Sequence, residues 1–437
     1  MRRRAATALV LLATAGATAP GCDDPRGTAA DDTAGHHPLP FKVTGDYLSY
    51  WDGERYVPFF MKGINLGVGI PGSEPGQLAV SRGQYRRWLE QIAATGVNTL
   101  RVYTLHFPRF YEEFAAYNLA NPDRPLFLLQ GIWLDEEMES EDFFDMTERY
   151  DREIDNVVNA IHGRGDVVGT YGKAFGEDRT DVSPWVLSWV LGREIYPDEV
   201  LYTNEHHPEA TSYEGRSLSL RDADPMEVWM AQRLDNTLTW ERERFGVTRP
   251  ICYSSWPTLD PLSHPIEGQG SDEDRASIVL DDMDLHDAPG GYWVIYHAYP
   301  YYPDFVVETP EYQEYSDALG PNSYLGYLHD LKRFHRDIPV VIGEFGTPSA
   351  WAAAHYAMNG MHHGGLDEAV VGHFAIRMFY NIYEAGHAGG VYFAWMDEWW
   401  KRTWIADELD FPRNRRFRWH NVTAAELLPD ALEKLRT

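Results

Sequence analysis

The sequence predicts an α/β fold, a (β/α)8 TIM barrel preceded by an N-terminal β-hairpin and carrying long βα loops. Three observations lead there. Eight short apolar runs alternate with longer stretches of helical spacing, the rhythm of parallel strands joined by crossovers. The chain has 437 residues, near the upper part of the range of about 200 to more than 400 that barrels with inserted loops occupy. No Gly-x-Gly-x-x-Gly or Gly-Lys-Ser/Thr loop follows an early strand, so the phosphate-binding signature of an open doubly wound sheet is missing.

In chain order, residues 1–22 read as an export signal. Arg2, Arg3 and Arg4 precede a small, apolar run that ends at Gly21-Cys22, too short to span a bilayer. The stretch resembles a bacterial lipobox, which implies acylation of Cys22 and an exported, membrane-anchored lipoprotein on the periplasmic or cell-surface side. Cleavage elsewhere would give a secreted protein. Residues 23–39 are small, polar and Pro-containing and suit a flexible tether, leaving 40–437 as a single domain.

That domain opens on FKVTGDYLSY and ERYVPFF, two alternating runs around Asp52-Gly53, which predicts a hairpin with a type I′ turn. The barrel strands are expected at 61–66, 98–103, 126–133, 186–194, 251–255, 292–299, 339–345 and 389–395. Amphipathic spacing predicts helices near 81–95, 108–120, 142–162, 225–245, 324–335 and 366–385. The surplus length follows strands, at 195–224 and 256–291, which places the insertions on the face where such barrels carry their chemistry.

Composition narrows the function. A hydrophobic content of 44% with 24% charged residues excludes a disordered polymer or a disulfide-stapled miniprotein. The formal charge of −29 excludes charge-driven binding to nucleic acid or anionic lipid; the membrane is reached only through the N-terminal lipid. Aromatic residues reach 14%, which fits ligand surfaces built from flat rings, so a neutral ligand such as a sugar is expected. With Cys22 acylated, Cys252 is left without a disulfide partner. The acidic stretch 271–287 and the pairs His206-His207 and His362-His363 lack metal-ligand spacing, so no metal and no cofactor is expected.

Catalytic groups of a parallel barrel come from strand C-terminal ends. Arg101 and Tyr103 lie near the end of the second run, Arg193 and Glu194 close the fourth, His297 and Tyr299 the sixth, Glu344 the seventh, and Trp395 the eighth. An unpaired carboxylate inside a barrel costs several kcal/mol, so Glu194 and Glu344 must be paired, protonated or useful. Strands four and seven face each other across a closed barrel. Two converging carboxylates suit glycoside hydrolysis, one protonating the leaving oxygen and the other attacking the anomeric carbon. Arg101 beside Glu344 would favour its anion, while Glu194 with less support could hold a proton, the asymmetry an acid and a nucleophile require.

Taken together, Trp189-x-x-Gly-x-Glu194, His297-x-Tyr299, Ile342-Gly-Glu-Phe-Gly346, Arg101 in NTLRVY and Trp395 resemble the retaining (β/α)8 glycoside hydrolases of clan A, in the style of families 2 and 5, over about residues 56–400. NTLRVY is also similar to the corresponding run of β-1,3-glucan-active transglycosylases. The resemblance implies a glycosidase acting on a β-linked oligo- or polysaccharide, with Glu194 as acid/base, Glu344 as nucleophile, Tyr299 donating to Glu344 and Trp395 as a floor for the sugar ring. It also implies Asn before the acid/base, where this chain has Arg193, a side chain with no acceptor. That exchange would select a 2-substituted or anionic sugar, change the attack geometry, or mark a domain that binds glycans without cleaving them. Trp256, Tyr301 and Tyr302 are expected to line an acceptor site. The competing structural readings are an internal Arg101–Glu344 ion pair, a satisfied core His297, and packing roles for Trp395 and the following Trp399-Trp400. The competing functions are a transglycosylase of the same fold and a non-catalytic surface glycan-binding lipoprotein.

Overall fold

The computed structural model describes residues 39–73, 75–136, 142–170, 172–267, 273–350 and 353–398. Cys22, the export segment, Trp399 and Trp400 lie outside these residues. Eight parallel strands close into a barrel: Met61–Asn65, Thr99–Val102, Phe127–Ile132, Val186–Leu191, Ile251–Ser255, Val294–His297, Val340–Phe345 and Gly389–Tyr392. Each pairs with its neighbours in sequence, and the eighth closes on the first through Gly389↔Met61 and Gly390↔Lys62. This is a (β/α)8 barrel, with every strand inside a run expected from the sequence. The runs are legible because both faces of these strands are buried, so they are continuously apolar rather than alternating. All residues of the fourth and seventh strands, for example, are buried.

Helices Arg82–Ala94, Pro108–Ala120, Thr147–Ile161, Pro225–Phe245, Ser323–Phe334 and Glu368–Glu384 fill most of the crossovers. Their starts are written in the sequence. Ser81 and Gln84 form a capping box, Asn322 accepts from Leu325 N, Asp367 accepts from Val370 N, and Pro108 and Pro225 stand at the first helical position. The third helix begins at Thr147 rather than Asp142 because the Asp142 carboxylate accepts from Phe144 N and holds residues 142–144 in a turn.

Three features depart from expectation. The N-terminal unit is a three-stranded antiparallel sheet, Phe41–Thr44, Tyr47–Trp51 and Tyr56–Pro58. Its tight turn is Gly45-Asp46, where Gly45 has φ +56°. The Asp52-Gly53 connection is longer, because Asp52 Oδ1 accepts from both Glu54 N and Arg55 N. Second, the insertion expected at 195–224 contains a helix, Pro197–His206; Asn204 Oδ1 accepts from Met226 N and ties that helix to the next. Third, among the described residues the fifth crossover contains one 3-10 turn, Pro257–Leu259, and no α-helix; Pro257, Pro261 and Pro265 interrupt any helical run there.

A buried ion pair ties the outer layer to the fourth strand. Glu241, fully buried, accepts from Arg249 Nε at 2.8 Å and Nη2 at 2.5 Å, from His162 Nε2 at 2.9 Å and from the Trp189 indole at 3.0 Å. Asp178, in the ribbon Gly165–Val167 and Gly176–Asp178, is buried in a less favourable way. Its Oδ1 has no hydrogen-bond partner among the described residues, and burial pushes its pKa up to about 7, with Arg179 opposing and Glu112 adding. The folded value lies above the unfolded one, so folding stability declines as pH rises from about 4 towards 7 and stays low above that. Asp178→Asn is expected to raise Tm by several degrees at about pH 8 and to change it little at about pH 4. Equal melting curves at the higher pH would contradict this account.

Candidate active site

Two carboxylates meet above the barrel. Glu344 is the fifth residue of the seventh strand, and both its oxygens accept. Tyr103 Oη donates to Oε1 at 2.6 Å, Tyr299 Oη donates to Oε2 at 2.7 Å, and Arg101 Nη1 lies 3.7 Å from Oε1. Burial, followed by the Glu344 charge, holds the Tyr103 and Tyr299 hydroxyls well above their ordinary pKa, so both remain donors. Arg101 itself is buried. It donates to Gly343 O at 3.2 Å and Ser254 Oγ at 3.1 Å. Gly343 makes room for Ile295 beside it: a Cβ there would stand 2.5 Å from Ile295 Cγ1, and only in ordinary contact, 3.4 Å, with Arg101 Nη1.

His297 joins the two carboxylates. Its Nε2 lies 2.8 Å from Arg101 Nη1 and 3.5 Å from Glu344 Oε1, and its Nδ1 lies 2.7 Å from Glu194 Oε1. A guanidinium can only donate. Nε2 therefore accepts, the ring hydrogen sits on Nδ1, and His297 donates it to Glu194. Ser254 Oγ, 3.1 Å from the same Nε2, supports this arrangement. Ser254 and Asn65 escaped the sequence reading, since neither residue type stands out inside an apolar run. Asn65 Nδ2 donates to Gly343 O at 2.9 Å, and Asn65 O accepts from Trp395 N at 2.9 Å.

Glu194 leaves the fourth strand through Gly192, whose φ of +82° is a left-handed conformation that glycine adopts at no steric cost. Its side chain is 43% accessible against 10% for Glu344, so one carboxyl meets solvent and the other is enclosed. Arg193 does not face the ligand side. Its guanidinium is buried and forked onto Glu199, at 2.9 and 2.6 Å, and also donates to the Glu194 carbonyl at 2.9 Å. Glu199 further accepts from Tyr196 N at 2.9 Å. The arginine thus braces the turn that carries Glu194, and its three hydrogen bonds go to protein atoms rather than to an anionic sugar.

The aromatic residues divide. Trp256 is half-buried, and its indole donates to Ile195 O at 2.8 Å, one residue past Glu194. Trp395 is half-buried beyond the eighth strand. Trp133 packs edge-on to Tyr103, with centroids 6.1 Å apart. Tyr301 is buried in a small cluster with Val307 and Ala357, flanked by Tyr299 and Tyr302, so it is packing rather than an open acceptor surface. An atom from each of Glu194, His297 and Glu344 lies within 4.8 Å of the others, a spacing a cation could use. Arg101 already supplies positive charge there, on both His297 and Glu344, which disfavours a second cation.

No protein-family model matches this chain, and no curated protein matches it. Solved structures do. A GH2 β-galacturonidase from Eisenbergiella tayi bound to galacturonate is 11% identical with a TM-score of 0.44, over 81% of this chain and 46% of that one, so the chain spans about half the length of that protein. A β-mannanase from the blue mussel Mytilus edulis is 13% identical, TM-score 0.43, over 84% and 93%. An endo-laminarinase from Formosa is 14% identical, TM-score 0.43, over 78% and 79%.

Proposed function

We propose that this protein is a glycosidase that cleaves a β-linked oligo- or polysaccharide by double displacement with retention. One observation carries the proposal: an enclosed carboxylate held by Tyr103, Tyr299 and Arg101 lies within 4.8 Å of an accessible carboxyl, Glu194. Retaining enzymes keep the two groups roughly 5 to 5.5 Å apart, whereas inverting ones need about 6.5 to 9.5 Å to admit a water. A Glu344 oxygen attacks the anomeric carbon as the bond to the leaving oxygen breaks, and Glu194 gives its proton to that oxygen. The His297 Nδ1–H then steadies the Glu194 anion. In the second step Glu194 takes a proton from water, whose oxygen displaces Glu344 and releases the sugar. An acylated Cys22 anchoring the exported protein belongs to the same proposal, and loss of membrane association in Cys22→Ala would test it.

Incubation with β-glucans, mannans and galactans, with the first-formed anomer read by NMR, tests the reaction. A β-anomer formed first is the expected result; an α-anomer formed first would sink retention. Longer oligosaccharides among the products would assign transfer to an acceptor sugar instead of hydrolysis. Tyr299→Phe removes a hydrogen bond to a charged group, and kcat/KM is expected to fall about 10- to 100-fold. An unchanged value would remove Tyr299 from the machinery.

A further inference from the structure

The turn that carries Glu194 also carries an exposed ring. Tyr196 is 54% exposed, although it stands two residues from Glu194 in a braced segment. Its ring meets Trp256 edge-on, with centroids 6.0 Å apart and planes at 88°. Trp256 is fixed in turn by its bond to Ile195 O, and Tyr196 N is fixed on Glu199. The Trp256 ring is therefore tied to the backbone that positions Glu194, and the Tyr196 ring rests edge-on against it. A rigid, solvent-facing aromatic held this way loses little entropy when a ligand lies on it. The Tyr196 hydroxyl feels burial first, then the carboxylates of Glu136 and Glu194, with Arg193, whose guanidinium lies 5.9 Å from the ring centre, opposing them.

The reading of Glu194 as the proton donor gives this surface a direction. The donated proton goes to the oxygen that departs, so whatever is attached beyond that oxygen lies on the Glu194 side of the bond. The C–H face of a pyranose is apolar and flat enough to pack on an aromatic ring, while its hydroxyls stay in water. We propose that Tyr196, backed by Trp256, is the subsite for the leaving sugar. This inference rests on the glycosidase proposal and deepens it.

The test compares two substrates with the same glycone. A β-glycosyl fluoride has no leaving sugar to touch Tyr196; a β-linked oligosaccharide does. For Tyr196→Ser, the ratio of kcat/KM for oligosaccharide over fluoride is expected to fall about tenfold relative to wild type, and Tyr196→Phe to restore it. An unchanged ratio in Tyr196→Ser, or an equal loss on both substrates, would overturn the subsite. A wild type that turns over none of the substrates would instead defeat the glycosidase reading, and this inference with it.

Discussion

Glu344→Ala is expected to lower kcat on a β-glycoside by about 10⁴-fold or more, roughly 5 kcal/mol of transition-state stabilisation, the scale on which removal of a covalent nucleophile acts. Far-UV CD should stay close to wild type, because the deleted carboxyl lies at a strand end and the barrel strands remain. The sharper readout is rescue. On a substrate with a good leaving group, azide can enter the space vacated by the carboxylate and attack from the same face, giving an α-glycosyl azide. Glu194→Ala should respond in the opposite sense: Glu344 still forms the covalent intermediate, azide attacks from the other face, and the product is the β-glycosyl azide. Both assignments fail if the two variants yield the same anomer, or if Glu344→Ala retains wild-type turnover.

The second large effect is on stability. Glu241→Ala is expected to cost about 3–5 kcal/mol, because it leaves the buried Arg249 guanidinium, the His162 ring and the Trp189 indole without their common acceptor. Burial pushes the Glu241 pKa up, but Arg249 and His162 outweigh it, and the folded value lies below the ordinary 4.5. The sign follows from that depression: this contribution is fully present above the unfolded pKa and is lost as pH falls through the folded one. Urea titrations at pH 7 and at about pH 4 should therefore show the gap between wild type and Glu241→Gln narrowing in acid. A constant gap would mean that the carboxylate charge is not what stabilises the fold. Trp189 opens the motif that ends in Glu194, so this ion pair also anchors the strand from which the solvent-facing carboxyl projects.

Arg193 marks where reading by residue type stops. As a letter before Glu194, with no acceptor to offer, it left open a 2-substituted or anionic sugar, a changed attack geometry and a domain that binds glycans without cleaving them. The chain supplies a carboxylate internally: Pro197 opens a helix whose third residue is Glu199, and that turn brings the carboxylate back under Arg193. Trp256 and Tyr196 belong to segments 60 residues apart, and only folding made them one surface. Tyr301, read as available, is enclosed because the loop carrying Ala357 packs on it.

Residue order shows the barrel and the succession of its strands, since runs buried on both faces must be continuously apolar and the helix caps are local. It also singled out Glu194 and Glu344, because a carboxylate closing such a run has no cheap place to go. How those carboxyls differ emerges on folding: which is enclosed by Tyr103, Tyr299 and Arg101, which meets solvent, and which ring nitrogen of His297 carries the hydrogen. Those properties depend on distances between strands far apart in the chain, and residue order alone carries no such distances.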